Sequence, residues 1–306
     1  MNLLVGATGF VGGHVVEYLF QQNEISKGIF RKGAHLKIMD LNGVQGIEAD
    51  LLDHHSLHEA MEGVDTVYSM ASPMPDGGTD FRINIQGLSN LLEVAQEAKA
   101  KSFVHLSTLD VYGFRSSEVR GDSEPRPGDE YQRSKLQAER MLLEFAKRSS
   151  SPRVAIIRAA RAVGSRDTSL VVPLLKMIEA GTTTLPASGR MSFSHPKDIA
   201  QALYLAATRA GQRTNLYLTK SFDAEPALLA SSLAQATGKS VIAKKEGLLS
   251  KSLFKQYTRE QLKAHLWLGS QEGWGELGYV PKYDLQSTCN EIADWYRREP
   301  WVTETD

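Results

Sequence analysis

The stretch Gly6-Ala7-Thr8-Gly9-Phe10-Val11-Gly12 decides the fold because of what stands on either side of it. Before it, Leu3-Leu4-Val5 is a short apolar run of strand type. After it, Val11, Val15 and Leu19 recur at i+4, with Val16 and Phe20 alongside, as one apolar helical stripe. A strand that enters a helix through three glycines is the setting in which a dinucleotide pyrophosphate is cradled. Gly6 permits the tight turn, Gly9 lets phosphate approach backbone N–H groups, and Gly12 lets helix and strand pack closely, with the anion on the helix N-terminus. The alternative is a purely structural strand-to-helix turn.

Working outward, short apolar runs alternate with longer helical stretches through the first half, the mark of repeated βαβ units and a parallel sheet. Strands are predicted at Leu3–Val5, Gly28–Phe30, Val44–Glu48, Thr66–Ser69, Phe103–Ser107 and Val154–Arg158. A helix begins near Phe81 and runs through Ser89 to Ala98, and another spans Glu130 to Arg148, burying Leu136, Met141, Leu142 and Phe145. The fold class is therefore α/β, a Rossmann doubly wound parallel sheet with a smaller interleaved C-terminal substrate domain. Residues 1–164 and about 190–220 form the nucleotide-binding domain, because Asp198 to Thr208 reads as a helix and Asn215 to Leu218 as a strand returning to the main sheet. Residues of about 165–189 and 221–306 form the smaller domain, in which Ser165 to Gly189 and Phe222 to Tyr283 read as lid-like excursions. No internal repeat or low-complexity tract occurs.

The chain of 306 residues, 42% hydrophobic and 23% charged with a formal charge of -1, has the composition of a globular protein with a small-molecule partner. Near-neutrality gives no electrostatic reason to expect nucleic acid or an anionic membrane. Without an apolar run of about 18 residues or an export leader before the first strand, a cytoplasmic location is expected. The single cysteine, Cys289, is expected to be a buried structural thiol. No metal is expected. The four tryptophans, Trp267, Trp274, Trp295 and Trp301, are expected to serve packing rather than a ligand cage.

What ends the second strand decides the cofactor. An acidic residue about 20 positions beyond the glycines would hold a ribose 2′-hydroxyl, whereas Phe30-Arg31-Lys32 offers an arginine that can pair with a 2′-phosphate through two charge-assisted bonds. Arg31 and Lys32 therefore point to NADP(H) over NAD(H), the alternative being a solvated loop pair. Asp50, in Ala49-Asp50-Leu51 after the third strand, can accept from an adenine amino group, or is a surface carboxylate.

Tyr131-Gln132-Arg133-Ser134-Lys135 puts a phenol and an ammonium on one helix face. With ten tyrosines in the chain the spacing alone is weak; its place, opening the helix after the fifth strand and following Ser107-Thr108-Leu109-Asp110-Val111-Tyr112-Gly113, gives it weight. Taken in order, GATGFVG, ADLLD, INIQG, FVHLSTLDVYG, YQRSK and LGYVPKYDL resemble the extended short-chain dehydrogenase/reductase family over nearly the whole chain. The resemblance implies a catalytic triad, whose hydroxyl member, five places before the glycine of VYG, falls on Thr108, with Ser107 the second candidate and Tyr131 and Lys135 completing it. It implies cofactor contacts from Gly6, Thr8, Gly9, Phe10, Val11, Gly12, Arg31, Lys32, Asp50, Leu51, Ala71, Tyr131 and Lys135. It also implies a homodimer through Phe81 to Ala98 and Glu130 to Arg148; Asn84 is expected either to support the site through the helix beside it or to be an ordinary structural residue. The chemistry is consistent: a phenol of ordinary pKa about 10 is a poor base at neutral pH until a nearby cation favours its phenolate.

Arg158 to Asp167 followed by Leu170 to Leu175 resembles the RPxxxxGxRD and LVPxLL run of 3β-hydroxysteroid dehydrogenase and dihydroflavonol reductase relatives, with Ala159 in place of the proline. That implies hydride transfer with a small, hydrophobic carbonyl or alcohol. Nucleotide-sugar epimerases, the alternative, carry a phosphate-binding arginine where this chain has Met191, although Arg190 is adjacent and Arg161 is available for the task. His195, three before Asp198, is expected to be structural. A non-enzymatic sensor of NADP(H) is the third reading, opposed by the intact Thr108, Tyr131 and Lys135.

Overall fold

The computed structural model describes residues 1–73, 80–115, 117–149, 151–186, 189–209, 215–245 and 253–299. In chain order the first half contains β1 (Asn2–Val5), α1 (Phe10–Gln21), β2 (Ser26–Phe30), α2 (Lys37–Leu41), β3 (Gln45–Glu48), α3 (His54–Met61), β4 (Thr66–Ser69), α4 (Leu88–Glu97) and β5 (Ser102–Thr108). Next come β6 (Ser117–Val119), α5 (Glu130–Arg148), β7 (Arg153–Ala159), β8 (Arg161–Ala162), α6 (Val171–Glu179), β9 (Thr182–Leu185), β10 (Met191–Ser194) and α7 (Pro196–Thr208). The chain closes with β11 (Asn215–Thr219), β12 (Phe222–Ala224), α8 (Pro226–Ala236), β13 (Ile242–Lys245), α9 (Gln256–Lys263), β14 (Leu266–Leu268), α10 (Trp274–Leu277) and α11 (Leu285–Arg298).

Seven strands form one parallel sheet in the order β11-β7-β5-β4-β1-β2-β3. A parallel strand is covered by helices on both faces, so it must be apolar on both; all four residues of β1 and six of the seven of β7 are buried. On one face Val15, Val16 and Leu19 of α1 pack with Ile199, Ala202 and Leu203 of α7. On the other, Leu57, Leu91 and Leu142 from α3, α4 and α5 close a second core. Phe20 departs from the predicted stripe: it is 54% exposed, because at 100° per residue it lies well round the helix from Val15 and Leu19. The order reverses between β1 and β4, and the crevice at that switch, at the carboxyl ends of the strands, is where α/β sheets bind ligands.

A third core, built from α6, α8, α11 and β10 with Leu174, Leu229, Phe193 and Ile292, belongs to the smaller unit. Its sheet, β12-β10-β8, starts directly beyond β7, and β11 then returns to the edge of the main sheet. The excursion Phe222 to Tyr283 divides. Trp274, Leu277 and Tyr279 join the main core, while β14 pairs in parallel with β6 from the first half of the chain. Cys289 is fully buried near the Leu229 carbonyl, and burial pushes its thiol up to about 12. Trp274 is buried in the main core and Trp267 is partly buried, whereas Trp295, though buried, also borders a cavity; Trp301 lies outside the described residues. Among the described residues no helix is long and apolar enough to cross a membrane.

Candidate active site

The glycine turn adopts the geometry its sequence demands. Gly6 has φ +95°, and a Cβ there would press on the Ala71 backbone. A Cβ on Gly12 would overlap the Gly6 carbonyl oxygen, so helix and turn approach closely only with glycine. Gly9 caps α1 with extended backbone and no side-chain bond, leaving the first-turn N–H groups of Phe10, Val11 and Gly12 facing outward. They line a cavity of about 1310 Å³ together with Thr8, Thr108, Tyr131 and Lys135.

Thr8 also lines a second cavity of about 680 Å³, which contains Arg31, Lys32, Asp50 and Asp53. Thr8, within the glycine turn, thus borders both cavities. Arg31 and Lys32 are exposed just beyond β2 and form no ion pair among the described residues. The neighbouring acids are committed to backbone: Asp50 accepts from the Leu52 N–H at 2.8 Å and Asp53 caps α3 through the His55 N–H at 3.0 Å. Leu51 and Ala71 line neither cavity; Leu51 is buried in the core beneath Gly87, and Ala71 lies against Gly6.

Tyr131 and Lys135 stand one turn apart at the start of α5, whose N-cap Asp129 accepts from the Gln132 N–H at 2.8 Å. Ser72 lines the same cavity as the Tyr131 phenol and acts to lower its pKa. Ser72 in turn donates to Asn84 Oδ1 at 2.9 Å, Asn84 Nδ2 donates to Ser134 Oγ at 2.9 Å, and Ser134 donates to the Tyr131 carbonyl at 2.7 Å. Asn84 thus sits in the middle of a chain of bonds that runs from Ser72 to the Tyr131 carbonyl. Burial, followed by the Asp110 charge, pushes the phenol pKa up.

Lys135 is buried, its Nζ donating to the Leu106 carbonyl at 2.7 Å and lying 3.3 Å from His105 Nε2. Desolvation lowers its pKa to about 8, with Glu139 acting in the opposite sense. Burial and the Lys135 charge hold His105 well below the ordinary imidazole range. It is therefore neutral, accepting from Lys135 at Nε2 and offering Nδ1–H to Ser69 Oγ at 3.2 Å.

The hydroxyl candidates separate by partner. Ser107 is buried and donates to Glu139 Oε1, so its proton is committed. Thr108 Oγ1 accepts from the Asp110 N–H at 3.1 Å, which leaves its own proton free to face the cavity. Sequence reasoning missed Ser72, His105, Asp110, Tyr257 and Gln261. Of these His105 and Asp110 lay within the quoted motif FVHLSTLDVYG, which gave neither a role; the others carry no local signal.

Met191 is buried and Arg190 is paired with Asp223, so neither lines the larger cavity. Arg161 does, its Nη2 held by Asp167 at 3.2 Å and Ser169 at 2.6 Å. His195 caps α7, stacks on Tyr283 at 3.7 Å and lines neither cavity, in keeping with a structural residue. His54, His58 and Glu97 bring potential ligand atoms within 4.8 Å of one another on α3 and α4, remote from both cavities.

Sterol demethylase protein B of Methylococcus capsulatus is 29% identical over 71% of this chain and 68% of its own length. An Escherichia coli N-acetyl-alpha-D-glucosaminyl-diphospho-ditrans,octacis-undecaprenol 4-epimerase is 28% identical over 61% and 56%. Among solved structures, a UDP-glucose-4-epimerase from Stenotrophomonas maltophila with bound NAD superposes with a TM-score of 0.83 at 19% identity, covering 98% of both chains. The pattern that defines the NAD dependent epimerase/dehydratase family matches residues 2–217, carrying the glycine turn, Thr108, Tyr131 and Lys135. The chain belongs to that family and is a nicotinamide-dinucleotide-dependent enzyme of the extended short-chain dehydrogenase/reductase type.

Proposed function

We propose that this chain is an NADP(H)-dependent oxidoreductase that interconverts a small, hydrophobic carbonyl compound and its alcohol, and that it works as a homodimer through Phe81 to Ala98 and Glu130 to Arg148. The observation that carries the reading is the pair of cavities that share Thr8: Thr108, Tyr131 and Lys135 line one, and Arg31 and Lys32, without an ion pair among the described residues, line the other. The residues fit the cofactor, because Gly6 and Gly12 let the turn and α1 close together so that the first-turn N–H groups face the groove, and Arg31 stands ready for a 2′-phosphate. Bound nicotinamide supplies the hydride in reduction and takes it up in oxidation.

The chain's own residues then handle the oxygen and its proton. Thr108 donates its free hydroxyl proton to the substrate oxygen, and Tyr131 Oη delivers a proton to the same oxygen as it becomes an alcohol; in oxidation the phenolate takes that proton back. The Lys135 ammonium lowers the cost of the phenolate, against the burial and Asp110 charge that oppose it. Lys135 is charged below about 8 and loses its proton above that value. Reductive turnover is therefore expected to fall as pH rises through about 8; a kcat profile flat to pH about 10 contradicts this role.

Calorimetry of NADPH against NADH, on protein first checked for cofactor carried through purification, tests the cofactor assignment. One charge-assisted bond is worth about 1.5–3 kcal/mol, and at this exposed site solvent screens the pair to about that total. Arg31→Ala is therefore expected to weaken NADPH by roughly ten- to a hundredfold with NADH unaffected. Equal affinities in the unaltered chain would overturn the 2′-phosphate reading.

One observation favours a second reading, a nucleotide-sugar epimerase: Arg161 lines the larger cavity and can meet a diphosphate. Against it, the usual arginine position is a buried methionine and Arg190 is engaged elsewhere. Tightly retained NAD with no net redox change would bring the epimerase forward.

A further inference from the structure

Asp110 is a buried carboxylate that the chemistry above does not consume. It sits two residues beyond Thr108 in the 3-10 turn Leu109–Tyr112, is 6% exposed and lines the larger cavity. A buried carboxylate is tolerated where donors converge on it, and here the donors come from the far end of the chain. Tyr257 donates its hydroxyl to Oδ2 at 2.8 Å, and Gln261 Nε2 reaches Oδ1 and Oδ2 at 2.9 Å each. Tyr257 and Gln261 are i and i+4 on α9, so one face of that helix delivers both. Donors alone, directed at both oxygens, suit a carboxylate rather than a carboxylic acid.

The same face covers the site. The Tyr257 ring meets the Tyr131 ring edge-on at 5.4 Å and 86°, and meets Phe114 at 4.9 Å and 68°. Phe81 closes on Tyr131 from the other side at 5.8 Å. On its opposite side α9 is anchored by Leu262, with Phe254 just before it, in the core of the smaller unit. An eight-residue helix is too short to hold itself. Its position over Tyr131 therefore draws on the apolar anchor on one side and on the bonds to Asp110 on the other.

We propose that Asp110, Tyr257 and Gln261 form a latch between the two domains that seats α9 over the catalytic phenol, making Asp110 a positioning residue and Tyr257 a wall of the substrate site. The latch fixes how closely a substrate oxygen is held between Thr108 and Tyr131. This rests on Tyr131 as the acid–base group, and the geometry of the latch itself is independent of which compound is turned over.

The test is hydrogen exchange at the backbone amides of residues 256–263, with and without NADPH, in the full chain and in Asp110→Ala, Asp110→Asn and Tyr257→Phe. Losing bonds to a charged acceptor predicts exchange there roughly tenfold faster or more in Asp110→Ala, with β1 and β5 unchanged. Asp110→Asn retains one acceptor oxygen and is expected to restore part of the protection. With the carbonyl compound identified by NADPH oxidation, Tyr257→Phe is expected to lower kcat about tenfold while NADPH affinity stays as it was. Unchanged exchange over 256–263 in Asp110→Ala overturns the latch, as does acceleration spread equally over β1 and β5. If the unaltered chain reduces no carbonyl, the reductase reading fails while the exchange comparison still decides the latch.

Discussion

Tyr131→Phe is expected to lower turnover by about 10²–10⁴-fold while leaving NADPH affinity unchanged. The substitution removes one oxygen and little else. The ring keeps its edge contact with Tyr257 and its tilted contact with Phe81, and the backbone bond from Ser134 to the Tyr131 carbonyl does not involve the phenol. What goes is the hydroxyl proposed to exchange a proton with the substrate oxygen. Initial rates of NADPH oxidation, paired with calorimetry on the same preparation, separate the two quantities. Turnover preserved in the variant would remove Tyr131 from the reaction and return the acid–base role to a water or to Asp110.

Glu139→Ala is expected to cost about 3–5 kcal/mol of folding stability, a large part of the 5–15 kcal/mol typical of a whole protein. Glu139 is fully buried on α5, and the Arg158 guanidinium grips it from β7: Nε reaches Oε1 at 2.9 Å and Oε2 at 3.1 Å, and Nη2 reaches Oε2 at 2.6 Å. Ser107 adds a further donor, and Arg158 Nη1 is used on Tyr112 Oη at 2.6 Å. Truncation leaves a guanidinium buried with no counter-charge, which is dearer than the pair itself is favourable.

Denaturant midpoints measure the loss. Replacing both partners by leucine is expected to recover much of it, because no charge is then stranded. A midpoint close to that of the unaltered chain would mean that water reaches Arg158 and the pair is not closed. Glu139 also supports the charge of Lys135, one turn away on the same helix, so the alkaline fall in turnover moves to lower pH in the same variant. The pair thus fastens the helix that carries Tyr131 and Lys135 to β7, next to the β11 edge of the sheet, and helps to keep Lys135 charged.

The sheet was legible because a parallel strand must be apolar on both faces and is bounded by turns. Predicted strands such as Thr66–Ser69 match the observed limits, others agree to within one or two residues, and the helix Glu130–Arg148 is as read. The small strands were not legible. β6 and β14 have three residues each, too few for any periodicity, and they exist because segments about 150 residues apart are brought side by side. Phe20 shows the limit of reading a stripe by eye, since a residue at its edge is claimed by the cavity and not by the core.

The sequence by itself determined the glycine turn, the order of the βαβ units, the Tyr131 and Lys135 pairing and the basic end of the second strand. Each rests on contacts within about a turn of helix or one strand-turn-helix unit, where residue type and spacing fix backbone conformation. Tertiary structure alone decided which hydroxyl is free, since Ser107 is spent on a glutamate from α5 while Thr108 is not. It also decided that His105 is neutral beneath Lys135, and that Asp110 meets Tyr257 and Gln261 across 147 and 151 residues of chain. Hydrogen-bond partners and desolvation depend on what the rest of the molecule packs around a group, and no local pattern encodes that.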